Sequence, residues 1–227
     1  MPTLPLQPRL KVCCVASTDE ADLAIRAGAT AIGLVSEMPS GPGAISDAEI
    51  ARIAKHVRDT SPAVESFLLS CRTDATELAE QARAAGCSTV QICDALDDEA
   101  GYPTLRTALP GVRLVQVIHV EDEIALDEAF RAQSHVDALL LDSGRPNAAI
   151  KELGGTGRAH DWTLSHRIVG ASTVPVWLAG GINASNVEQA IRSVGPHGID
   201  VCSGVRTDGK LDPAKLDALV SAMRNVR

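Results

Sequence analysis

Aromatic and basic side chains are both scarce in this chain. Only 2% of the 227 residues are aromatic, and 21 Lys and Arg are outnumbered by 29 Asp and Glu, which gives a formal net charge of −8. A surface that neutralises a nucleic-acid backbone is normally basic, and no run of Lys or Arg interleaved with aromatics occurs. The composition therefore argues against a nucleic-acid partner.

Long apolar runs are missing as well. No stretch of 18 uncharged apolar residues occurs, and residues 1–9 lack the apolar centre of a signal peptide. Apolar residues make up 45% of the chain and charged residues 22%, which is the balance of a soluble globular protein. We therefore expect a cytoplasmic protein that neither enters nor crosses a membrane.

The six cysteines show no spacing that is typical of a disulfide framework or a zinc site. No CxxC pair occurs, and the adjacent Cys13 and Cys14 have poor geometry for a bridge or for one zinc ion. The histidines lie on different predicted elements and show neither HxH nor HExxH spacing. We therefore expect free thiols and no metal site. The residues in question are Cys13, Cys14, Cys71, Cys87, Cys93, Cys202, His119, His135, His160, His166 and His197.

Short apolar or β-branched runs alternate with longer stretches of Ala, Glu, Arg and Leu at helical spacing. Strands that are apolar throughout fit a parallel sheet covered on both faces. Eight such runs in a chain of this length favour an α/β fold, a parallel eight-stranded (β/α)8 TIM barrel, over an open doubly wound sheet. We expect a single domain over residues 1–227, with residues 1–8 as a loose N-terminal arm. The predicted strands are Leu10–Cys14, Ala31–Val35, Ser66–Leu69, Thr89–Cys93, Arg113–Ile118, Ala138–Leu141, Val174–Leu178 and Gly198–Val201.

Amphipathic segments between these runs predict helices. Ser46, Thr73 and Asp212 are suited to accept hydrogen bonds from the first turn of a helix, and Gly28 and Gly86 are suited to the left-handed residue that ends one. The helices predicted most clearly are Asp19–Ala27, Asp47–Thr60, Ala75–Ala85, Ile124–Gln133, Ala184–Val194 and Pro213–Asn225.

The loops after the last two strands are rich in glycine. Catalytic and binding residues of such barrels lie at the carboxyl ends of the strands, and the loops after strands 7 and 8 often bind phosphate. Gly180 and Gly181 follow strand 7, and Ser203 and Gly204 follow strand 8. Backbone N–H groups in such loops can approach a phosphate closely. The pattern favours a phosphate site, although glycines that only permit tight turns would look the same.

Strands 1 and 6 end in residues that are capable of acid–base chemistry. Side-chain alternation along a strand predicts that Lys11 and Cys13 share one face of strand 1 and that Cys14 lies on the other. A thiolate at the barrel mouth can remove a proton from carbon, and Asp142 at the end of strand 6 could supply the matching acid.

Several motifs together resemble the phosphoribosylanthranilate isomerase family of tryptophan biosynthesis over nearly the whole chain. They are "KVCC", "AGATAIGLV", "LLLDS", "GGTGRAHDW", "PVWLAGGIN" and "GIDVCSGVRTDGKLDPAKL", where the family typically has KICG, DS, GGTG, DW, LAGG and D.SSGVE patterns. The resemblance implies an isomerase that converts a phosphorylated aminoaldose into an aminoketose without a cofactor. It also implies that Cys13 is the general base and Asp142 the general acid. The residues expected around the phosphate are Lys11, Gly155, Thr156, Gly157, Gly180, Gly181, Ser203 and Gly204.

The chain departs from the family pattern in the part that would hold the anthranilate ring. Cys14 replaces a glycine, and Gly43 stands where the family's "SPRYV" has an arginine that contacts the anthranilate end. Cys93 and Asp94 replace His and Gly, and His119 replaces a lysine, so we treat these three as candidate substrate contacts. The arginines that could replace the missing cation are Arg72, Arg145 and Arg206.

Three readings follow from this pattern. The chain could isomerise phosphoribosylanthranilate, or it could be a paralogous isomerase, epimerase or aldolase for a different phosphorylated substrate. It could also be a binding protein for a phosphorylated metabolite without catalytic activity. Each reading has a phosphorylated small molecule as its partner and permits a monomer or a homodimer. The glycine-rich loops Ser40–Gly43 and Leu153–Gly157 are candidate lids over the pocket.

Overall fold

The computed structural model of the chain describes residues 7–144 and 162–226. Several residues singled out above lie outside this part, and their predictions stay predictions, as does the single-domain assignment. They are Gly155, Thr156 and Gly157 of the phosphate loop, the candidate lid Leu153–Gly157, Arg145, His160 and the first six residues of the arm.

Eight parallel strands close into a barrel in chain order, with β1 paired to both β2 and β8, which confirms the predicted fold. Most strand bounds lie within two residues of the predicted ones. The strands are β1 (Arg9–Val12), β2 (Ala31–Val35), β3 (Glu65–Ser70), β4 (Thr89–Ile92), β5 (Arg113–His119), β6 (Ala138–Asp142), β7 (Val176–Leu178) and β8 (Gly198–Val201).

Helices follow the strands around the outside of the barrel. They are α1 (Thr18–Ala27), α2 (Asp47–Thr60), α3 (Ala75–Ala85), α4 (Gly101–Ala108), α5 (Ile124–Ala132), α6 (Trp162–Ala171), α7 (Val187–Val194) and α8 (Pro213–Arg224). A 3-10 turn at Ser203–Val205 and a short antiparallel hairpin of β9 (Arg206–Thr207) and β10 (Lys210–Leu211) precede α8. Among the described residues, no helix is both long and apolar enough to cross a membrane.

Helix ends follow local hydrogen bonding. Ser46 and Asp212 cap their helices as predicted, and Gly28 and Gly86 adopt left-handed φ values of 107° and 64°. The assignment of Thr73 as a cap was wrong, because the Asp74 carboxylate accepts from both N–H groups of the first turn of α3.

The helix predictions differ from the structure in two respects. The segment 184–186 that we predicted as the start of α7 forms a turn instead, because the Asn183 side chain accepts from the Ser185 backbone and the Asn186 side chain accepts from the Asn183 backbone. Helices α4 and α6 were not among the helices named above. The short α4 contains Pro103 and follows Ala100, which offers no capping side chain.

The core has two layers. One lies between the strands and the helices, and the other fills the inside of the barrel. Trp177 and Phe67 lie in the inner layer with their rings edge to face at 5.9 Å. Alternation places Leu10 and Val12 in the outer layer, so that Lys11 between them points into the barrel. The inner layer supports the pocket described below.

We predict that Gly198→Ala lowers the free energy of unfolding by about 1–3 kcal/mol, because overpacking a filled core forces neighbours to move. A methyl group at this position would collide with the buried ring of Trp177. Denaturant unfolding of the purified variants measures the effect.

The matched control is Gly170→Ala in α6, where an added methyl group meets no atom within 4 Å. This change should raise stability by about 0.5–1 kcal/mol through the helix preference of alanine. Equal effects of the two changes would contradict the packing argument.

Candidate active site

A pocket opens at the carboxyl ends of the strands and brings together the predicted base, the predicted acid and parts of both glycine-rich loops. Both halves of the predicted acid–base pair therefore face one cavity. The residues lining it include Cys13, Cys14, Ser40, Gly41, Pro42, Gln91, Asp142, Gly180, Gly181, Asp200, Cys202 and Ser203.

Both cysteines at the end of β1 line this pocket, so the prediction that Cys14 faces away from Cys13 was wrong. Regular strand structure stops at Val12, and Cys14 has a φ of 60°. This left-handed backbone breaks the alternation and turns Cys14 back towards the mouth. It is also a conformation that residues other than glycine adopt at a cost of about 1–2 kcal/mol.

Lys11 lies beneath the pocket rather than in its wall. Its side chain is 0% exposed, and its ammonium group donates to an Asp200 carboxylate oxygen at 2.7 Å. Burial is the largest influence and lowers the Lys11 pKa, but the Asp200 and Cys13 side chains outweigh it and the pKa is raised. Lys11 therefore stays a cation, and its position does not support the predicted direct contact with substrate.

Asp200 is a site residue that the sequence analysis missed. It stands opposite Lys11 in the pairing of β1 with β8 and lines the pocket. One of its carboxylate oxygens binds Lys11, and the other is buried with no hydrogen-bond partner in the described part of the chain. A single charged residue within the apolar strand "GIDV" was the signal that could have found it.

Asp142 is held in an environment that favours its protonated form. Burial, the largest influence, raises the pKa of this carboxyl group, and the nearby Asp200 raises it further. The backbone N–H of Ser143, which donates to Asp142 at 2.7 Å, offsets the rise only in part. A carboxyl group with a raised pKa is suited to act as a general acid near neutral pH.

Residues of both glycine-rich loops line the pocket. Gly180 and Gly181 have φ values of 86° and 63°, and they line the cavity together with Ser203. The N–H groups of these three residues donate no hydrogen bond within the described residues. Gly204 does not line the cavity. A side chain there would collide with the Ile182 carbonyl, so Gly204 lets the two loops pack together.

Three predicted substrate contacts lie elsewhere. Cys93 is buried, and Asp94 and His119 line a separate cavity beside Tyr102 and His135. The His119 ring nitrogen Nε2 is 3.0 Å from the Cys93 carbonyl oxygen. The expectation that these residues belong to the mouth therefore finds no support in the lining of the pocket.

The described arginines proposed as replacement cations are already engaged. Arg72 pairs with Glu77 at 2.9 Å. Arg206 pairs with Glu20 at 3.1 Å and donates to the backbone carbonyls of Cys13 and Cys14. Within residues 7–144 and 162–226, no Lys or Arg side chain lines the pocket. Arg206 instead fixes the turn that carries the candidate base.

Cys14 and Gly43, two of the departures from the family pattern, are in contact. Gly43 has a φ of 83°, and a Cβ atom added there would lie 2.5 Å from the Cys14 Cβ. The space next to Gly43 is therefore occupied by the Cys14 side chain. A larger residue at position 43 and a cysteine at position 14 exclude each other in this backbone.

The fold and the site are those of a (β/α)8-barrel enzyme with a small-molecule pocket at the carboxyl ends of its strands. The family model for N-(5'-phosphoribosyl)anthranilate isomerase matches residues 10–222. The chain belongs to this family.

Individual relatives agree with this assignment. The chain is 31% identical to N-(5'-phosphoribosyl)anthranilate isomerase of Methanosarcina acetivorans, over 98% of this chain and 96% of that protein. It is 36% identical to the Haloferax volcanii protein of the same name, over 96% and 94%. The solved structure of the isomerase from Pyrococcus furiosus superposes with a TM-score of 0.77 at 25% identity, covering 96% of this chain and all of that one.

We predict that Gly43→Arg destabilises the protein and that Cys14→Gly removes part of this cost. Free energies of unfolding, measured in denaturant for a double-mutant cycle, should give a coupling free energy of about 0.5–3 kcal/mol, as expected for residues in contact. Gly195→Arg is the control, because Gly195 has a similar φ of 68° with nothing within 4 Å. Additive effects at positions 14 and 43 would contradict the contact.

We predict that Asp142→Asn becomes more stable than the wild type as pH rises. At low pH both residues are neutral in the folded and unfolded states, and the difference is small. The raised folded-state pKa of Asp142 means that the unfolded chain loses this proton first, so ionisation favours unfolding of the wild type. Unfolding curves from acid to neutral pH measure the difference.

Asp137→Asn should show the opposite dependence of stability on pH. Burial raises the Asp137 pKa, but the hydrogen bonds from Arg106 and the Leu114 N–H outweigh it, and the pKa is lowered. This variant should lose stability relative to the wild type as pH rises. Parallel curves for the two variants would refute the assignment of a protonated Asp142.

Proposed function

We propose that this chain catalyses the isomerisation of N-(5'-phosphoribosyl)anthranilate by an Amadori rearrangement. The observation that carries the proposal is a thiol, Cys13, in the same pocket as a carboxyl group with a raised pKa, Asp142. The reaction needs a proton donor and a proton acceptor at different atoms of one substrate. A pair placed at the carboxyl ends of β1 and β6, which are not neighbours in the barrel, supplies both.

Asp142 acts first as the general acid. It donates its proton to the ring oxygen of the ribose, the bond from that oxygen to C1 breaks, and the nitrogen lone pair forms a double bond to C1. Burial raises the pKa of this carboxyl group and so favours the protonated form that donates, and the Ser143 N–H then stabilises the carboxylate that remains.

Cys13 then acts as the general base. Its thiolate removes the proton from C2, and the electron pair moves through C1 to the nitrogen, which gives an enaminol. The enaminol becomes the aminoketose when C1 takes up a proton and the C2 hydroxyl group releases one. The Lys11 ammonium group interacts electrostatically with Cys13 from below, so its positive charge compensates the negative charge that a thiolate brings into the pocket. In this role Lys11 positions charge and does not touch the substrate.

The phosphate group would bind at the loops after β7 and β8. Gly180, Gly181 and Ser203 line the cavity, and their N–H groups donate no hydrogen bond among the described residues. Backbone N–H groups of this kind bind phosphate oxygens in many proteins. Phosphate binding at these loops would hold the sugar between Cys13 and Asp142.

We place the activity in the cytoplasm.

One observation favours a second candidate, a phosphorylated aminoaldose without a carboxylate. The family arginine is replaced by Gly43, and no Lys or Arg of the described residues lines the pocket. An aromatic carboxylate is costly to bury without a cation. A substrate whose amine substituent is neutral would avoid this cost while using the same acid, base and phosphate loops.

The test is turnover of phosphoribosylanthranilate, followed by the loss of its fluorescence. We predict turnover by the wild type and a loss of at least about 100-fold for Cys13→Ala and for Asp142→Asn, the usual contribution of a general acid or base. Cys87→Ala, which alters a buried thiol in the turn between α3 and β4, should keep its activity.

Each result has a definite meaning. No turnover of phosphoribosylanthranilate, with turnover of a carboxylate-free analogue, would favour the second candidate. Full activity in Cys13→Ala would refute the role of the thiol in either reaction. Phosphate-ligand binding without turnover of any aminoaldose would indicate a binding protein.

A further inference from the structure

A second cavity adjoins the pocket at the ends of β2 and β3. Val35 and Leu69 are paired at these strand ends and line the pocket. The second cavity, which we call the Arg72 cavity, is lined by residues that follow them in the chain, namely Ser36 after β2 and Cys71 and Arg72 after β3. The two spaces therefore succeed one another along the same pair of strand ends.

Met38 forms the boundary between the two spaces. It lines both of them. The loop that carries it is held to the end of β3, because the Cys71 thiol donates to the Glu37 carbonyl oxygen at 3.3 Å. Methionine is unbranched and has three rotatable bonds, so its side chain adapts easily to a new shape. A movement of this one side chain would join the pocket to the Arg72 cavity.

The pocket alone is small for the proposed substrate. It encloses about 60 Å³, whereas pockets for small organic ligands usually hold about 300–1,000 Å³. The Arg72 cavity adds about 380 Å³. The cavity lined by Asp94 and His119 shares no described lining residue with the pocket. Of these two spaces, the Arg72 cavity is therefore the one that can receive the part of the substrate that the pocket does not hold.

Arg72 brings a weakly engaged cation to this cavity. Its guanidinium group pairs with Glu77 at 2.9 Å, but the two side chains are 43% and 63% exposed, and an ion pair this exposed contributes little. Within the described residues, Nη1 is the one guanidinium nitrogen of Arg72 that donates a hydrogen bond. The other charged residue of the described lining, Glu37, is exposed to solvent. Since arginine can bind a carboxylate through two parallel hydrogen bonds, Arg72 is suited to recognise an anionic group that enters the cavity.

We propose that the Arg72 cavity is the subsite for the aromatic carboxylate of the substrate, and that Arg72 exchanges Glu77 for this carboxylate. The inference rests on the proposed function, because an anthranilate group carries the carboxylate. The pocket around Cys13 and Asp142 has no cation among its described lining residues, so the charge has to be compensated next to it. Met38 moves aside when the ring enters. Arg72 is then a specificity-determining residue that binds a part of the substrate that does not react.

The test compares Arg72→Gln with the wild type in two assays. In turnover of phosphoribosylanthranilate, we expect KM to rise about 10- to 100-fold with kcat nearly unchanged, because the variant loses a charge-assisted contact that substrate and transition state make equally. The second assay is calorimetric binding of the alcohol made by reducing the ketone of the product, and its affinity should fall by the same factor. The same alcohol without the carboxyl group should bind both proteins equally. Arg72→Lys should recover part of the affinity.

Two further variants separate carboxylate binding from a structural role. Glu77→Gln removes the competing partner and should strengthen binding of the carboxylate ligand, whereas an Arg72 that only held α3 in place would make both changes weaken it. Arg52→Gln is the matched control and should bind like the wild type, because Arg52 is an exposed arginine paired with Glu49 on α2 and lines neither space.

The two assays fail in different ways. Equal binding of the carboxylate ligand by Arg72→Gln and the wild type would overturn the subsite, even if the wild type turns over phosphoribosylanthranilate. No binding of this ligand by the wild type would overturn it as well. Binding that depends on Arg72 in a wild type without turnover would refute the proposed function and support the subsite.

Discussion

The ion pair between Lys11 and Asp200 is the interaction on which the mouth of the barrel depends. It joins β1 to β8, the strands that close the barrel, and it is buried beneath the pocket. Loss of one partner from such a pair leaves an uncompensated charge and typically costs about 3–5 kcal/mol. Lys11 brings positive charge next to Cys13. Burial is the main cause of the raised Asp142 pKa; within the pair, Asp200 raises this pKa and Lys11 lowers it.

Near this pair, the chain lacks the arginine of the family pattern and has Gly43 in its place. The Cys14 side chain fills the volume beside Gly43, and the cation that the family places there has no counterpart among the described lining residues. The two differences are one structural change, because neither the cysteine nor a larger residue at position 43 fits with the other.

Sequence patterns predicted the architecture well because barrel strands and amphipathic helices are defined by periodicity. The bounds of β2, β8, α2 and α3 were predicted to the residue. The candidate base and acid, Cys13 and Asp142, could be placed in one pocket because both lie at the carboxyl ends of strands, which meet at the same face. These predictions required only chain order and the rule that strand ends converge.

The remaining features depend on geometry that no local pattern contains. The orientation of Cys14 follows from a positive φ, which the residue type does not predict. Asp200 was missed because a strand buried on both faces shows no alternation from which to tell inward from outward positions. Lys11 was assigned to the substrate because a resemblance transfers residue identity but not depth in the barrel.

Arg206 has a consequence for how the chain could be cut or rearranged. It belongs to the hairpin after β8, yet it binds Glu20 of α1 and the carbonyls of Cys13 and Cys14. The turn that carries the candidate base is thus tied to a segment almost two hundred positions further along the chain. A circular permutant with new termini between β8 and this hairpin would retain every barrel strand and Arg206 itself, but it would place Arg206 at a free chain end.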